Sequence, residues 1–137
     1  MMDQSVLVVH SNQVPTVRRF QVTALSISNR WLLFAVAAPG AKSDTSYADR
    51  SCYGIAGSSA LWAKGSASAL PAASHTSVDT FLWSEGDVVE LTLNCEARTL
   101  RIKSRLVDHT IPDLPAGQTW VPMVNMYAAN TAVEMLP

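Results

Sequence analysis

The sequence predicts an all-β fold: a single bent sandwich of two antiparallel sheets with little or no helix. Three observations lead there. The stretch from Gly86 to Leu106, GDVVELTLNCEARTLRIKSRL, alternates apolar and polar residues in two arms, the pattern of a long hairpin with one buried face. The remainder breaks into short β-rich runs, with turn residues recurring about every eight to fifteen positions, giving roughly six to nine strands. Nowhere do apolar residues recur at the helical period over a useful length.

Residues 3–9 (DQSVLVV) form a short first strand, and Ser11–Thr16, with Pro15, a turn or edge segment. Arg19–Ser28 is a β-rich run, followed by a tight turn at Asn29-Arg30. Trp31–Ala38 (WLLFAVAA) is apolar on both faces, which suits a central strand or one packed against a second layer. These two runs are expected to pair as a hairpin through residues 28–30. Pro39–Arg50 reads as a polar loop and Ser51–Gly57 as a short strand. Ser58–Thr76, rich in Ala and Ser, reads as a long surface excursion with a short strand around Leu61–Lys64. Val78–Trp83 leads into the 86–106 hairpin. There Val89, Leu91, Leu93 and Cys95 face one way, and Leu100, Ile102 and Leu106 continue that face after the break. Residues 107–118, with Pro112 and Pro115, read as a loop. Trp120–Tyr127 and Thr131–Leu136 close the chain as strands. Trp31, Trp83 and Trp120 fall inside strand patterns and are expected in the core.

At 137 residues the chain is one domain with enough length for a real core. Hydrophobic residues make up 48% and charged residues 15%, which excludes disorder and leaves an exterior of small polar residues or one partly covered by a partner. A net charge of −1 provides no field to gather nucleic acid or an anionic membrane. The longest apolar run, Trp31–Ala38, is too short to span a bilayer, and MMDQSVLVVH lacks the basic start and long apolar centre of a secretory signal. Two cysteines do not make a disulfide framework; Cys95 is expected as a buried free thiol. These points lead to an intracellular, cytoplasmic expectation.

The chemistry-bearing residues do not assemble into a catalytic pattern. His10, His75 and His109 lie far apart with no zinc-like spacing, and Asp108-His109 are neighbours that should point apart on an extended chain. No Gly-x-Ser-x-Gly elbow or phosphate-cradling glycine loop occurs. No enzyme, cofactor or metal site is expected. Arg98, Arg101, Lys103 and Arg105 form a one-sided basic stripe, able to hold an acidic peptide or a phosphate, or equally a solvated strand face that discourages edge aggregation.

The order of four stretches resembles the SPRY domain family, β-sandwich interaction modules of ubiquitin-ligase subunits and other intracellular adaptors. RRFQVTALSISNRWLLFAVAA looks like the family's aromatic-entry strand leading to a Trp and a second strand. SCYGIAGSSALW looks like its Tyr-Gly…Trp segment, GDVVELTLNCEARTLRI its Gly-Asp hairpin, and LPAGQTWVPMVNMY its late strand. Phe20 stands where the family often has Trp, Phe34-Ala35 replace a usual Gly, and residues 103–106 lack the usual Asn-Gly. The resemblance implies non-catalytic recognition of a peptide or partner loop at one rim. By position, that rim takes in the 39–50 loop with Tyr47 and Arg50, Tyr53, Trp62, the Asn94–Arg98 turn, and Tyr127, Ala128 and Asn130. Tyr53 can equally be a core residue, and Trp62 a packing residue under the long loop. A lectin-like sandwich using the same aromatics, and a structural module that self-associates, are the alternatives.

Overall fold

In the computed structural model, residues 2–4, 16–26, 31–41, 46–75, 81–126 and 130–137 are described. These residues form eleven strands: β1 (Met2–Gln4), β2 (Thr16–Ala24), β3 (Leu32–Ala37), β4 (Tyr53–Ala56), β5 (Ala60–Ala63), β6 (Ser66–Ala69), β7 (Val88–Asn94), β8 (Thr99–Lys103), β9 (Asp108–Ile111), β10 (Val121–Met126) and β11 (Ala132–Leu136). Short 3-10 turns at Ser46–Ala48 and Ala72–Ser74 are the helical elements among them. A six-stranded sheet runs β1-β10-β3-β4-β5-β6 and a five-stranded sheet β11-β2-β7-β8-β9, all pairs antiparallel. The all-β sandwich expected from the sequence is the fold observed.

The 86–106 hairpin is β7 and β8, with Glu90 opposite Lys103 and Leu93 opposite Leu100. Its period-two face is buried as expected: Val89, Leu91, Leu93, Leu100 and Ile102 join the inter-sheet core. Cys95 and Leu106 are half-buried at its margins. From the other sheet the core receives Leu32, Phe34, Val36, Tyr53, Ile55, Val124 and Met126, together with Trp83 and Trp120. The Trp83 indole N–H donates to the Leu32 carbonyl at 2.9 Å, so this large side chain enters the core with its polar atom satisfied.

Four expectations change. Strands β2 and β3 do not pair as a hairpin; β2 lies between β11 and β7, and β3 between β10 and β4 in the other sheet. Strand β3 is buried on both faces with β10 and β4 on its two edges, and β2 takes its place in the facing sheet. Within the 58–76 stretch the chain forms β5, as expected at 61–63, and also β6, so most of it is a hairpin rather than a loop. The 107–118 segment begins with β9, which covers the edge of β8. Lys103 and Arg101 therefore lie on an interior strand, where their charges protect no edge. Trp31 is half-buried on the outside of the six-stranded sheet, not between the sheets.

Outward-facing Leu33, Ala35, Ala37, Cys52, Ala56 and Met123 make a second buried cluster on that outer face, with Ala41 from the following loop. Trp31, Tyr47, Ala60 and Trp62 pack over it. Small residues form its floor because β3 and β4 run close together there. A Cβ on Gly54 would lie 2.2 Å from the Phe34 carbonyl oxygen, so this position admits no side chain.

Candidate functional site

Two loci on the six-stranded sheet hold four of the residues that the sequence singles out, Tyr47, Arg50, Tyr53 and Trp62. The first is aromatic. The rings of Trp31, Tyr47 and Trp62 meet mutually edge-to-face, with centroids 5.9, 5.9 and 5.5 Å apart and planes 71–84° from one another. Trp62 reaches this position from β5, where it pairs with Gly54. Trp31 is oriented by its indole N–H, which donates to Asn125 Oδ1 at 3.3 Å. The indole N–H of Trp62 is buried and finds no acceptor among the described residues. Half-buried aromatics outside the main core present apolar area together with a polar handle, the usual make-up of a recognition surface.

The second locus is a shallow depression lined by Arg50, Tyr53, Lys64 and Pro115. It is assembled by one hairpin turn. Lys64 and Gly65 join β5 to β6 as a two-residue turn, both with positive φ (54° and 77°), the geometry that fits the twist of a tight hairpin. A Cβ on Gly65 would lie 2.6 Å from the carbonyl oxygens of Ala48 and Asp49, so glycine lets this turn seat directly against the 46–50 segment. That segment is fixed in its turn by Asp49, whose Oδ1 accepts from Ser51 N (2.9 Å) and Ser51 Oγ (2.6 Å), while Ser51 Oγ accepts from Ala38 N at 2.8 Å. These bonds from Ser51 hold the Asp49 carboxyl below its ordinary range against a smaller opposing effect of burial.

Tyr53 is 2% exposed and packs edge-on against Trp120, with centroids 5.8 Å apart. The core alternative weighed for it describes its ring. Its hydroxyl is buried without a hydrogen-bond partner among the described residues, and burial raises its pKa, so it is a neutral donor. Arg50 and Lys64 are exposed.

The remaining candidates are dispersed. Tyr127 and Ala128 lie outside the described residues. Asn130 is exposed in the turn before β11. The connection that holds it leaves β10 at Met126, opposite Leu32, whereas Tyr53 lies opposite Val36 at the other end of β3, roughly 13 Å along the strand. Arg98 is exposed at the β7–β8 tip, where its carbonyl accepts from Leu114 N at 3.0 Å. The basic stripe is largely compensated. Arg101 makes a bidentate pair with Asp108 (2.9 and 2.7 Å), and Arg105 pairs with Asp87 at 2.9 Å. Lys103 is exposed, with Glu90 and Asp108 opposite it on the flanking strands. The sequence missed Lys64 and Pro115 at the depression and Trp31 at the aromatic patch. The Lys-Gly pair between two alternating runs was the available signal for the turn.

Ser74 Oγ lies 2.7 Å from His109 Nδ1. Asp108, the adjacent acid, gives its carboxylate to Arg101, so these residues do not form a Ser-His-Asp arrangement. Among the described residues no group of His, Cys, Asp and Glu has a metal-binding arrangement, and no helix is long and apolar enough to cross a membrane.

No protein-family model matches the chain, and neither does any curated protein. Solved structures do match. The SPRY domain of human HERC1 superposes with a TM-score of 0.70 at 16% identity, covering 96% of this chain and 79% of that one. The TRIM65 PSpry domain superposes with a TM-score of 0.67 at 13% identity, covering 98% and 68%. Over nearly its whole length, the chain has the fold of a SPRY domain.

Proposed function

We propose that the chain is a non-catalytic protein-interaction module that holds a peptide or a partner's loop on the outer side of the six-stranded sheet. The observation that carries this reading is the Trp31–Tyr47–Trp62 patch, three half-buried aromatic side chains gathered outside the inter-sheet core. Arg50 and Lys64 supply polar contacts beside it: Tyr47 and Arg50 share the 46–50 segment, and Trp62 and Lys64 lie two residues apart. Likeness in fold to SPRY domains supports the same reading. Within a longer protein the chain would act as the substrate-selecting part of a ubiquitin ligase or as an adaptor, inside the cell. A RING finger, F-box or SOCS box encoded beside it would support the ligase role.

The test is selection of peptides from a random phage-displayed library on the immobilised chain, followed by measurement of the selected peptides on Tyr47→Ala and Trp62→Ala variants. The expected result is a loss of affinity of tenfold or more in at least one variant that keeps its circular dichroism spectrum. Selected peptides that bind both folded variants unchanged would refute the patch as the site. A glycan array tests the lectin alternative. Edge-to-face packing of the three rings against each other leaves less open ring face for a sugar to stack on, which favours the protein-recognition reading.

A further inference from the structure

The depression is lined by two cations and by a tyrosine with a buried hydroxyl, none of them with a partner among the described residues. The depression has a volume of about 410 Å³ and is open to solvent on one side. Tyr53 forms part of its wall, is 98% buried, and has a hydroxyl with no hydrogen-bond partner among the described residues. Leaving a buried hydroxyl unpaired is unfavourable, and such groups in folded proteins commonly mark a place that something else completes. Arg50 and Lys64 line the same depression and form no ion pair among the described residues. The acids nearest in sequence are Asp49 and Asp113. Asp49 accepts from Ser51 through its carboxylate, and Asp113 is exposed on the 112–115 segment. Juxtaposition of the two cations is built into the backbone: the Lys64-Gly65 turn can approach the 46–50 segment only because residue 65 has no side chain.

We propose that this depression is an anion subsite for a carboxylate or phosphate group, with Arg50 and Lys64 supplying the charge and the Tyr53 hydroxyl the oriented hydrogen bond. A guanidinium and an ammonium together match one such group, and a neutral phenol adds direction without adding repulsion. On the reading of the chain as a peptide-recognition module, on which this step rests, the ligand class becomes an acidic or phosphorylated peptide. Its aromatic or aliphatic side chains lie on the Trp62 patch and its anionic group enters the depression.

The experiment is an NMR titration of the isotope-labelled full chain with sodium acetate and, separately, with inorganic phosphate, at ionic strength held constant with chloride. The expected result is saturable shifts at the Arg50 Nε–H and the Tyr53 ring with at least one of the two anions; the tighter of the two identifies carboxylate or phosphate as the preferred group. Tyr53→Phe, which removes one hydroxyl and keeps the ring, should weaken that binding about 3- to 10-fold. An Arg50→Gln/Lys64→Gln double variant should abolish saturation. Absence of saturable shifts with both anions, or an affinity unchanged by Tyr53→Phe, would overturn the anion subsite. Peptides selected on the chain then separate this idea from the interaction reading. Replacing a peptide's Glu or Asp by its amide should cost affinity on the parent chain and little on Arg50→Gln. Peptides that depend on Trp62 but show no such coupling overturn the anion subsite and leave the interaction module standing. Anion binding at Arg50 and Tyr53 with no peptide selected at all overturns the interaction reading instead.

Discussion

At the scale of the residue, Tyr53 carries opposing demands. Its ring fills the inter-sheet core against Trp120, and its hydroxyl is buried with nothing to bond among the described residues. Removing that hydroxyl while keeping the ring should therefore stabilise the unliganded fold by about 1–3 kcal/mol, the penalty of an unsatisfied buried group. Chemical denaturation of Tyr53→Phe checks this, and a variant less stable than the parent would mean that the hydroxyl is satisfied in solution. Asp49 shows the reverse case, a fully used polar group. Hydrogen bonds from Ser51 lower its folded-state pKa below the ordinary 3.8, so its contribution is complete above that value and is lost as pH falls through the lower folded one. Stability measured from about pH 5 downward should fall less steeply in Asp49→Asn than in the parent, because the variant has no proton to take up there.

At the scale of the element, hairpins decide most of what matters. The β7–β8 hairpin was legible because an alternating pattern admits one register that buries Leu91, Leu93, Leu100 and Ile102 together, and a one-residue slip would expose them all. Leu91→Ala should cost roughly 2–5 kcal/mol, read as a lower denaturation midpoint with an unchanged slope. The β5–β6 hairpin was only half legible. Ser66–Ala69 (SASA) alternates serine only with small alanine, a weak signal, and all four residues are exposed on an edge strand, so it forms because β5 offers it a partner and Lys64-Gly65 the turn. Gly65→Ala should destabilise by about 1–3 kcal/mol through strain at positive φ and displacement of the 46–50 segment. In the same variant, amide signals of residues 47–50 should shift while those of β7 and β8 stay in place; the opposite distribution would show that the turn does not hold that segment.

At the scale of the whole molecule, the two sheets share one continuous core, in which Trp83 and Trp120 touch residues of the six-stranded sheet and the 86–106 hairpin supplies the opposite wall. Neither sheet buries its inner face without the other, so the chain should unfold in a single cooperative step. Near-ultraviolet circular dichroism from the buried tryptophans and far-ultraviolet circular dichroism from the strands should give coincident midpoints, and separated midpoints would show independently stable sheets. By itself the sequence determined the fold class, the β7–β8 hairpin with its buried face, and the order of motifs that resembles SPRY domains. All of these follow from patterns local enough for side-chain period and turn chemistry to dictate. Only the tertiary structure decided that β2 and β3 belong to different sheets and that Trp31 faces outward to join Tyr47 and Trp62. It alone placed Arg50, Tyr53, Lys64 and Pro115 around one depression. These facts depend on contacts between residues distant in sequence, where strand pairing and the close approach that Gly65 permits settle which side chains meet.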